Sequence, residues 1–334
     1  MYLSLLFVLA VPHAFAVTLN KELLEEWHEY KEQFDKKYGP IEDFKRMNIW
    51  QKTKHIVQQH NEEYGRGLHS YTLAVNHMAD MTQEELEHRS GLRMTPESIP
   101  EMEAETEVFT LREGSLPPIP DQVDWRTNNG YVGHVYDQGM CSSCWAFSIV
   151  GTLESQWFLT TQQRVNLSQQ NLVDCVTSSH GCKGGDLYEG FEYIKDSGGI
   201  DTLESYPYEA HDNVCRFKKE GVGAVVNGIS MIKNGSEFDL RNAVATVGPV
   251  SVGIDASDFR FFFYGSGIYD NPNCGSVNLT HAVVVVGYGT EDGKDYWLIK
   301  NSWSERWGQN GFGKMTRNRG NQCGIASNAV YPII

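Results

Sequence analysis

The sequence predicts an α+β protein: a charged helical segment, then a domain with a helical half and a β half. Three observations predict it. Aromatic and aliphatic residues recur at helical spacing between residues 17 and about 92. A stretch rich in proline and glutamate follows at 94–120. Beyond Asp121, where glycine, cysteine and aromatics become frequent, a helical pattern over 144–160 gives way after residue 222 to runs of β-branched residues.

The 334 residues suit one domain plus an extra segment. The formal net charge of −15 argues against a nucleic-acid partner, which needs a basic face. The N-terminus reads as a secretory signal over 1–16. It has an apolar run from Leu3 to Phe15 and a small-x-small cleavage site at Ala14-Phe15-Ala16, though without a basic start. The run is short and carries Pro12 and His13, which argues against a membrane anchor, and no later segment is apolar for long enough to span a bilayer. In 17–92, Trp27, Tyr30, Phe34 and Tyr38 mark one helix, and Trp50, Ile56, Val57 and His60 a second, less regular one. Pro96, Pro100, Pro117, Pro118 and Pro120, with glutamates at 97, 101, 103, 105, 107 and 113, predict an exposed, protease-sensitive linker. The boundary falls near Pro120. Residues 17–118 carry 12 basic and 20 acidic side chains and residues 119–334 carry 16 and 23, so docking of the two parts needs local patches rather than bulk attraction. After the boundary, Phe147, Val150, Leu153, Glu154 and Trp157 predict a helix, 187–197 a shorter one, and Ala224-Val225-Val226, Val250 to Ile254, Ala282 to Val286 and Tyr296 to Ile299 predict strands.

All seven cysteines lie after residue 140, and in a secreted chain an odd count leaves one free. Cys144 opens the helix Trp145-Ala146-Phe147, where unpaired N–H groups favour an anion and therefore a reactive thiolate. Locally it also reads as a structural disulfide, or as a redox or zinc pair with Cys141. His281 begins one β run and Asn301 ends the next, with the turn Glu291-Asp292-Gly293-Lys294 between them. Folding about 292 or 293 places His281 opposite Asn301 to Ser304. A carboxamide oxygen accepting one ring N–H would fix the tautomer and aim the other nitrogen at a nucleophile; taken alone, His281 reads more readily as a core histidine.

Together, Cys144, His281 and Asn301, the last two lying 137 and 157 residues after the first, resemble the papain family of cysteine peptidases. The resemblance extends through Val123-Asp124-Trp125-Arg126, Cys141-Ser142-Ser143-Cys144-Trp145-Ala146-Phe147, Gln170-Asn171-Leu172-Val173-Asp174-Cys175, Gly181-Cys182-Lys183-Gly184-Gly185, Tyr206-Pro207-Tyr208, Gly248-Pro249-Val250, His281-Ala282-Val283 and Asn301-Ser302-Trp303. Glu42, Arg46, Trp50, Thr53, Val57 and Asn61, then Ala74, Asn76, Met78 and Asp80, are similar to the two propeptide motifs of the cathepsin L-like group, whose nearest relatives by the stretch at His281 are cathepsins K, L and S.

The resemblance implies a two-lobe fold: a helical lobe, a β-barrel-like lobe and a cleft between them, behind an inhibitory propeptide spanning 17–118, with the mature domain at 119–334. It implies disulfides Cys141–Cys182, Cys175–Cys215 and Cys274–Cys323, which leave Cys144 free. It also implies a zymogen of an acid-active endopeptidase: Cys144 as nucleophile, His281 as acid–base partner, Asn301 as its orienter, Gln138 with the Cys144 N–H as oxyanion hole, and Trp303 as a shield or core residue. Substrate would meet Gly184, Gly185, Asp186, Leu187, Gly253 and Leu279, with Asn328 at the floor of S2. Asn328 stands where the family usually has an apolar residue and Asp186 near its usual aromatic or aliphatic one, so a P2 preference that stays mainly hydrophobic should admit polar groups better, unless Asn328 points to solvent. Ser142 replaces the usual glycine on the S1 side of the cleft, where its hydroxymethyl group either narrows the cleft or is accommodated, and reduced but real activity is expected. Sequons at Asn166, Asn234 and Asn278 predict glycosylation. The implied partners are protein substrates, the chain's own propeptide and cystatin-like inhibitors, acting on a monomer without metal or cofactor, in lysosomes or outside the cell. The competing reading is a catalytically weak or inactive binding protein of the same fold.

Overall fold

A computed structural model describes residues 12–93, 107–109, 119–127 and 132–334, with side chains from residue 21 onward. The N-terminal segment folds on an aromatic knot. Helix α1 (Pro12–Gln33) crosses helix α2 (Pro40–Gly65) where Trp27 and Tyr30 meet Trp50, at ring-centroid distances of 5.5 and 5.8 Å. Trp50, Thr53, Val57 and His60 form the buried face of α2, spaced by three and four as one helical face requires. Ile56 falls outside that face and is 40% exposed, a correction to the sequence pattern. Asp80 is fully buried and accepts hydrogen bonds from Tyr30 (3.1 Å), Tyr38 (2.5 Å) and Lys36 (2.9 Å); a carboxylate without such partners would not be tolerated there. Arg46 joins Glu42 of its own helix to Glu85.

The helical pattern does not continue to residue 92. Strand β1 (Tyr71–Leu73) follows α2, its Leu73 backbone N–H and C=O both bonded to the Asn61 carboxamide at 2.8 and 2.9 Å. The short helix α3 (Gln83–Glu87) opens on a reciprocal Thr82–Glu85 capping box. Most of the predicted signal, residues 1–11, and most of the predicted linker, 94–106 and 110–118, lie outside the described residues. Within the linker, Glu107–Val108 forms β2, running parallel to Ser230 and Met231 instead of standing free.

Beyond the boundary, β3 (Val123–Asp124) leads to α4 (Cys144–Thr161), α5 (Gln169–Cys175) and α6 (Leu187–Ser197), with the small pair β4 (Ile200–Asp201) and β5 (Val222–Ala224). The strand expected at Ala224-Val225-Val226 thus sits two residues earlier. The β half comprises β6 (Gly228–Met231), α7 (Glu237–Thr246), β7 (Val250–Ile254), α8 (Phe259–Phe262), β8 (Tyr264–Tyr269), β9 (His281–Glu291), β10 (Lys294–Lys300), β11 (Phe312–Thr316) and β12 (Ala329–Ile333). The sheet runs β1-β8-β11-β10-β9-β7-β12-β6-β2, with β3 beside β9. It does not close into a barrel among the described residues. Its two outermost strands, β1 and β2, come from the N-terminal segment and linker, so edges that would otherwise expose backbone groups are paired by chain from before the boundary.

Helix α4 carries buried residues on every side from Cys144 to Gln156, as befits a helix between the lobes. The cysteines pair as Cys141–Cys182, Cys175–Cys215 and Cys274–Cys323, and Cys144 is free.

Candidate active site

Helix α4 lies along β9 in register. Ser148 donates to the Val283 carbonyl at 2.7 Å, and a Cβ on Gly151 would stand 3.2 Å from Val284. One turn before Ser148, Cys144 therefore faces Ala282, the neighbour of His281, and backbone groups of Ala282, Trp145 and Gly91 lie at its sulfur. The β9–β10 hairpin turns on Asp292 and Gly293, both with positive φ (50° and 74°), and pairs Lys300 with Val284. Its end brings the His281 ring to the Asn301 carboxamide: Nε2 donates to Oδ1 at 2.8 Å, and Nδ1 has no protein hydrogen bond. Asn301 Oδ1 also accepts from Ser302 N at 2.8 Å. Trp303 stacks on His281 (4.5 Å between centroids) and on Phe262 (4.9 Å), and covers the pair from solvent.

Gln138 is fully buried beside them. Its Nε2 donates to Cys141 O at 2.9 Å, its Oε1 accepts from Ser302 at 2.7 Å, and its backbone N–H donates to Ser302 O at 2.9 Å. One Nε2–H remains for a ligand. Two groups at this seam escaped the sequence reading. Glu154 and Lys300 are both buried between α4 and β10, where burial lifts the carboxyl to about 7 and lowers the ammonium, each partly offset by the other. Tyr208 was quoted only as part of a motif, yet its hydroxyl touches both Gln138 and Ser143. Sequence alone gives no spacing signal for either contact.

The N-terminal segment runs through the cleft. Gly91 O accepts from Gly185 N (2.9 Å), Arg93 N donates to Gly185 O (2.9 Å), and Leu92 N donates to Thr280 O (3.1 Å). The Leu92–Gly185 bridge is parallel. Gly91 cannot be replaced, because a Cβ there would collide with the Ser142 carbonyl oxygen. Ser142 itself donates to His88 O at 3.1 Å, so this side chain meets the segment. Trp303 Nε1 donates to Arg89 O at 3.1 Å. A Cβ on Gly253 would lie 2.5 Å from Leu92 and 2.8 Å from Leu279, with Asn328 at 3.5 Å; Leu187 belongs to the same apolar cluster. Asn328 is fully buried, neither side-chain atom having a protein partner, and this rules out a solvent-facing side chain. Asp186 instead turns to its own helix: Oδ1 caps α6 by accepting from Tyr188 N (2.7 Å) and Glu189 N (3.2 Å), while burial raises its carboxyl to about 6.

Burial, to which the Gly91 backbone contributes at the sulfur, also sets the charge state. It pushes the Cys144 thiol up to about 12, against a partial offset from the surrounding backbone groups, and it lowers His281 to about 4, against its bond to Asn301. With the cleft covered, both groups are therefore held neutral. Among the described residues no helix is long and apolar enough to cross a membrane, and no cluster of three metal-ligating side chains occurs.

Residues 119–333 match the family described as papain family cysteine protease, and residues 27–86 match the cathepsin propeptide inhibitor domain. The chain is 47% identical over 340 residues to cathepsin L1 of Drosophila melanogaster, covering 99% of this chain and 90% of that protein. It is 46% identical to cathepsin S of Mus musculus, covering 92% and 90%. Among solved structures, the digestive procathepsin L2 proteinase of the Tenebrio molitor larval midgut superposes with a TM-score of 0.88 at 39% identity, covering 93% of this chain and 100% of that one.

Proposed function

The chain belongs to the papain family of cysteine proteases, and from that premise we propose that it is an endopeptidase in which Cys144 attacks the scissile carbonyl and His281 manages the protons. It carries a cathepsin propeptide inhibitor domain and so is made as a zymogen. Once the cleft opens, the helix N-terminus favours the thiolate and Asn301 holds Nε2–H, leaving Nδ1 to take the thiol proton. The thiolate adds to the carbonyl carbon, and the oxyanion is received by Gln138 and the Cys144 N–H. His281 then protonates the leaving amine and afterwards takes a proton from the deacylating water. The observation that carries the reading is the free Cys144 at the start of α4, its sulfur against the backbone of Ala282, which follows a histidine whose far nitrogen is fixed by Asn301. Acidification of the full chain, followed by assay on a peptide library and covalent labelling with an epoxide inhibitor, tests it. Cleavage with one label on Cys144 supports it; folded, processed protein without turnover refutes it.

We further propose a signal at 1–16, a propeptide at 17–118 released by cutting near 114–120, and a mature enzyme at 119–334. Sequons Asn166, Asn234 and Asn278 are exposed and would carry glycans in the secretory pathway. Lysosomal or extracellular delivery, a monomeric state and inhibition by cystatin-like proteins follow from the same reading.

The S2 pocket is read as mainly apolar, since Leu92 already occupies the space bounded by Gly253 and Leu279. Asn328 adds an unpartnered carboxamide, and an unpaired buried amide favours a ligand that bonds to it. Comparison of kcat/KM for Leu, Phe and Arg at P2 should show Asn328→Ala losing polar tolerance by about 3- to 10-fold relative to leucine. Unchanged discrimination would refute the assignment.

Acid release follows from two groups on the propeptide. Arg46 holds the Glu85 carboxyl at about 2, below the usual 4.5. This stabilisation is complete above about 4.5 and is lost as pH falls from there through 2. His77 sits buried at the seam, facing Arg89, Asp137, Lys36 and Arg306; burial and the Arg89 charge hold its ring well below the usual 6.5. A released segment would bind that proton, so docking weakens as pH drops below about 6.5. His77→Leu is therefore expected to move the midpoint of self-activation to lower pH, read as latency against pH; an unmoved midpoint would remove His77 from the switch.

A further inference from the structure

The motif Tyr206-Pro207-Tyr208 has no role in the chemistry above, yet Tyr208 sits where two parts of the site meet. Its hydroxyl lies 2.8 Å from Gln138 O and 2.6 Å from Ser143 Oγ. The direction of both bonds is fixed by what each atom can do. Gln138 O only accepts, so Tyr208 donates to it and must accept from Ser143. The competing approach of Ser143 to Cys141 O is longer, at 3.4 Å. The ring is held in place edge-on against Phe147 at 4.9 Å.

The two ends of this relay are the residues that set the oxyanion donors. Ser143 is the N-cap of α4, and its side chain makes no hydrogen bond to its own helix; the peptide after it carries the Cys144 N–H. Gln138 carries the other donor on Nε2, and its side chain is fixed to Cys141 and Ser302. Those bonds orient the amide, but neither runs from the Gln138 main chain to the start of the nucleophile helix. The phenol supplies that link, and serial hydrogen bonds of this kind strengthen one another in a buried setting.

We propose that Tyr208 is a positioning residue: a strut that sets the spacing between the Gln138 amide and the Cys144 N–H, and so the fit of the oxyanion. This rests on the oxyanion role given to Gln138. It predicts that losing the hydroxyl affects steps that build charge on the substrate oxygen and spares those that only need the thiolate.

Acid-processed enzyme is compared as wild type, Tyr208→Phe, Ser143→Ala, the double variant and Gln138→Ala. Three quantities are read: kcat and KM on a peptide, the affinity of a peptide aldehyde, and the rate of alkylation by iodoacetamide. The aldehyde adds the Cys144 sulfur to its carbonyl carbon, leaving the oxygen in the oxyanion site; iodoacetamide alkylates sulfur with loss of iodide and makes no such oxygen. Tyr208→Phe is expected to lower kcat and aldehyde affinity by about tenfold each, with KM and the alkylation rate within about twofold. Ser143→Ala should reproduce this, and the double variant should add little, since both cut the same relay. Equal losses in alkylation and aldehyde binding would show general damage and overturn the proposal. So would an unchanged aldehyde affinity in Tyr208→Phe and Ser143→Ala while Gln138→Ala loses it. If Gln138→Ala loses none, the oxyanion reading itself falls and the strut with it. Should Tyr208→Phe fail to fold, Ser143→Ala alone decides.

Discussion

Replacing Cys144 by alanine is expected to lower kcat by on the order of 10⁵-fold or more, the scale seen when a covalent nucleophile is removed. Folding should survive, because the side chain is small and makes no disulfide. The pocket it leaves is minor against the apolar packing of α4 on β9. The same change should leave the propeptide docked, since the contacts of Gly91, Leu92 and Arg93 run to Gly185 and Thr280 rather than to the sulfur alone. The variant would thus remain intact at the acid pH at which the wild type is expected to process itself. Peptidase assay after cutting by an added protease separates lost chemistry from lost maturation; activity within tenfold of wild type would contradict the assignment of the nucleophile.

The second large effect lies in the propeptide. Asp80→Ala removes the common acceptor of Tyr30, Tyr38 and Lys36 and leaves Lys36 without its partner. Breaking a buried pair by removing one member typically costs about 3–5 kcal/mol. The neighbouring carboxylates are already engaged: Glu85 with Arg46 and Thr82, and Asp43 with Trp27 and Lys31. The segment Asn76 to Leu92 hangs on this knot, and Asn76 ties it to the mature domain by donating to Phe262 O at 2.8 Å. Loss of the anchor should therefore release the cleft by about 10²- to 10⁴-fold. The result would appear as peptidase activity from the full chain at neutral pH, where the wild type is expected to be latent. A latent Asp80→Ala chain would show that the cleft contacts suffice without the knot.

What could be read from the sequence follows from how local the cause is. The β9–β10 hairpin was legible because Asp292-Gly293 suits two successive positive φ values, and register then carries His281 toward Asn301. Helices α4 and α6 were legible from spacing, and the odd cysteine from parity. What was not legible depends on distant partners. β2 forms inside a proline-rich linker because β6 offers it an open edge, and β1 pairs with β8 at the other end of the same sheet. Ile56 and Val57 are adjacent and equally apolar, and only the packing of α2 on its neighbours, β1 among them, decides which is buried. Asp186 looked like a pocket residue by position, but its carboxylate caps α6. Ser142 looked like a narrowing of the cleft and proves to bond to the segment lying in it. The burial that holds Cys144 and His281 neutral involves groups distant in sequence: the Gly91 backbone lies at the sulfur from more than fifty positions away, and Trp303 stacks on the ring.

The central claim is that a solitary sulfur becomes a thiolate beside His281 only when the propeptide leaves. The direct measurement is the rate of Cys144 alkylation by iodoacetamide against pH, on the full chain and on the processed enzyme. The processed enzyme should react fast well into the acid range, far below the ordinary thiol value of about 8.5, and the full chain should be nearly inert until the propeptide lets go. A processed enzyme whose reactivity simply rises with a thiol value near 8.5, or a full chain that reacts equally fast, would contradict it.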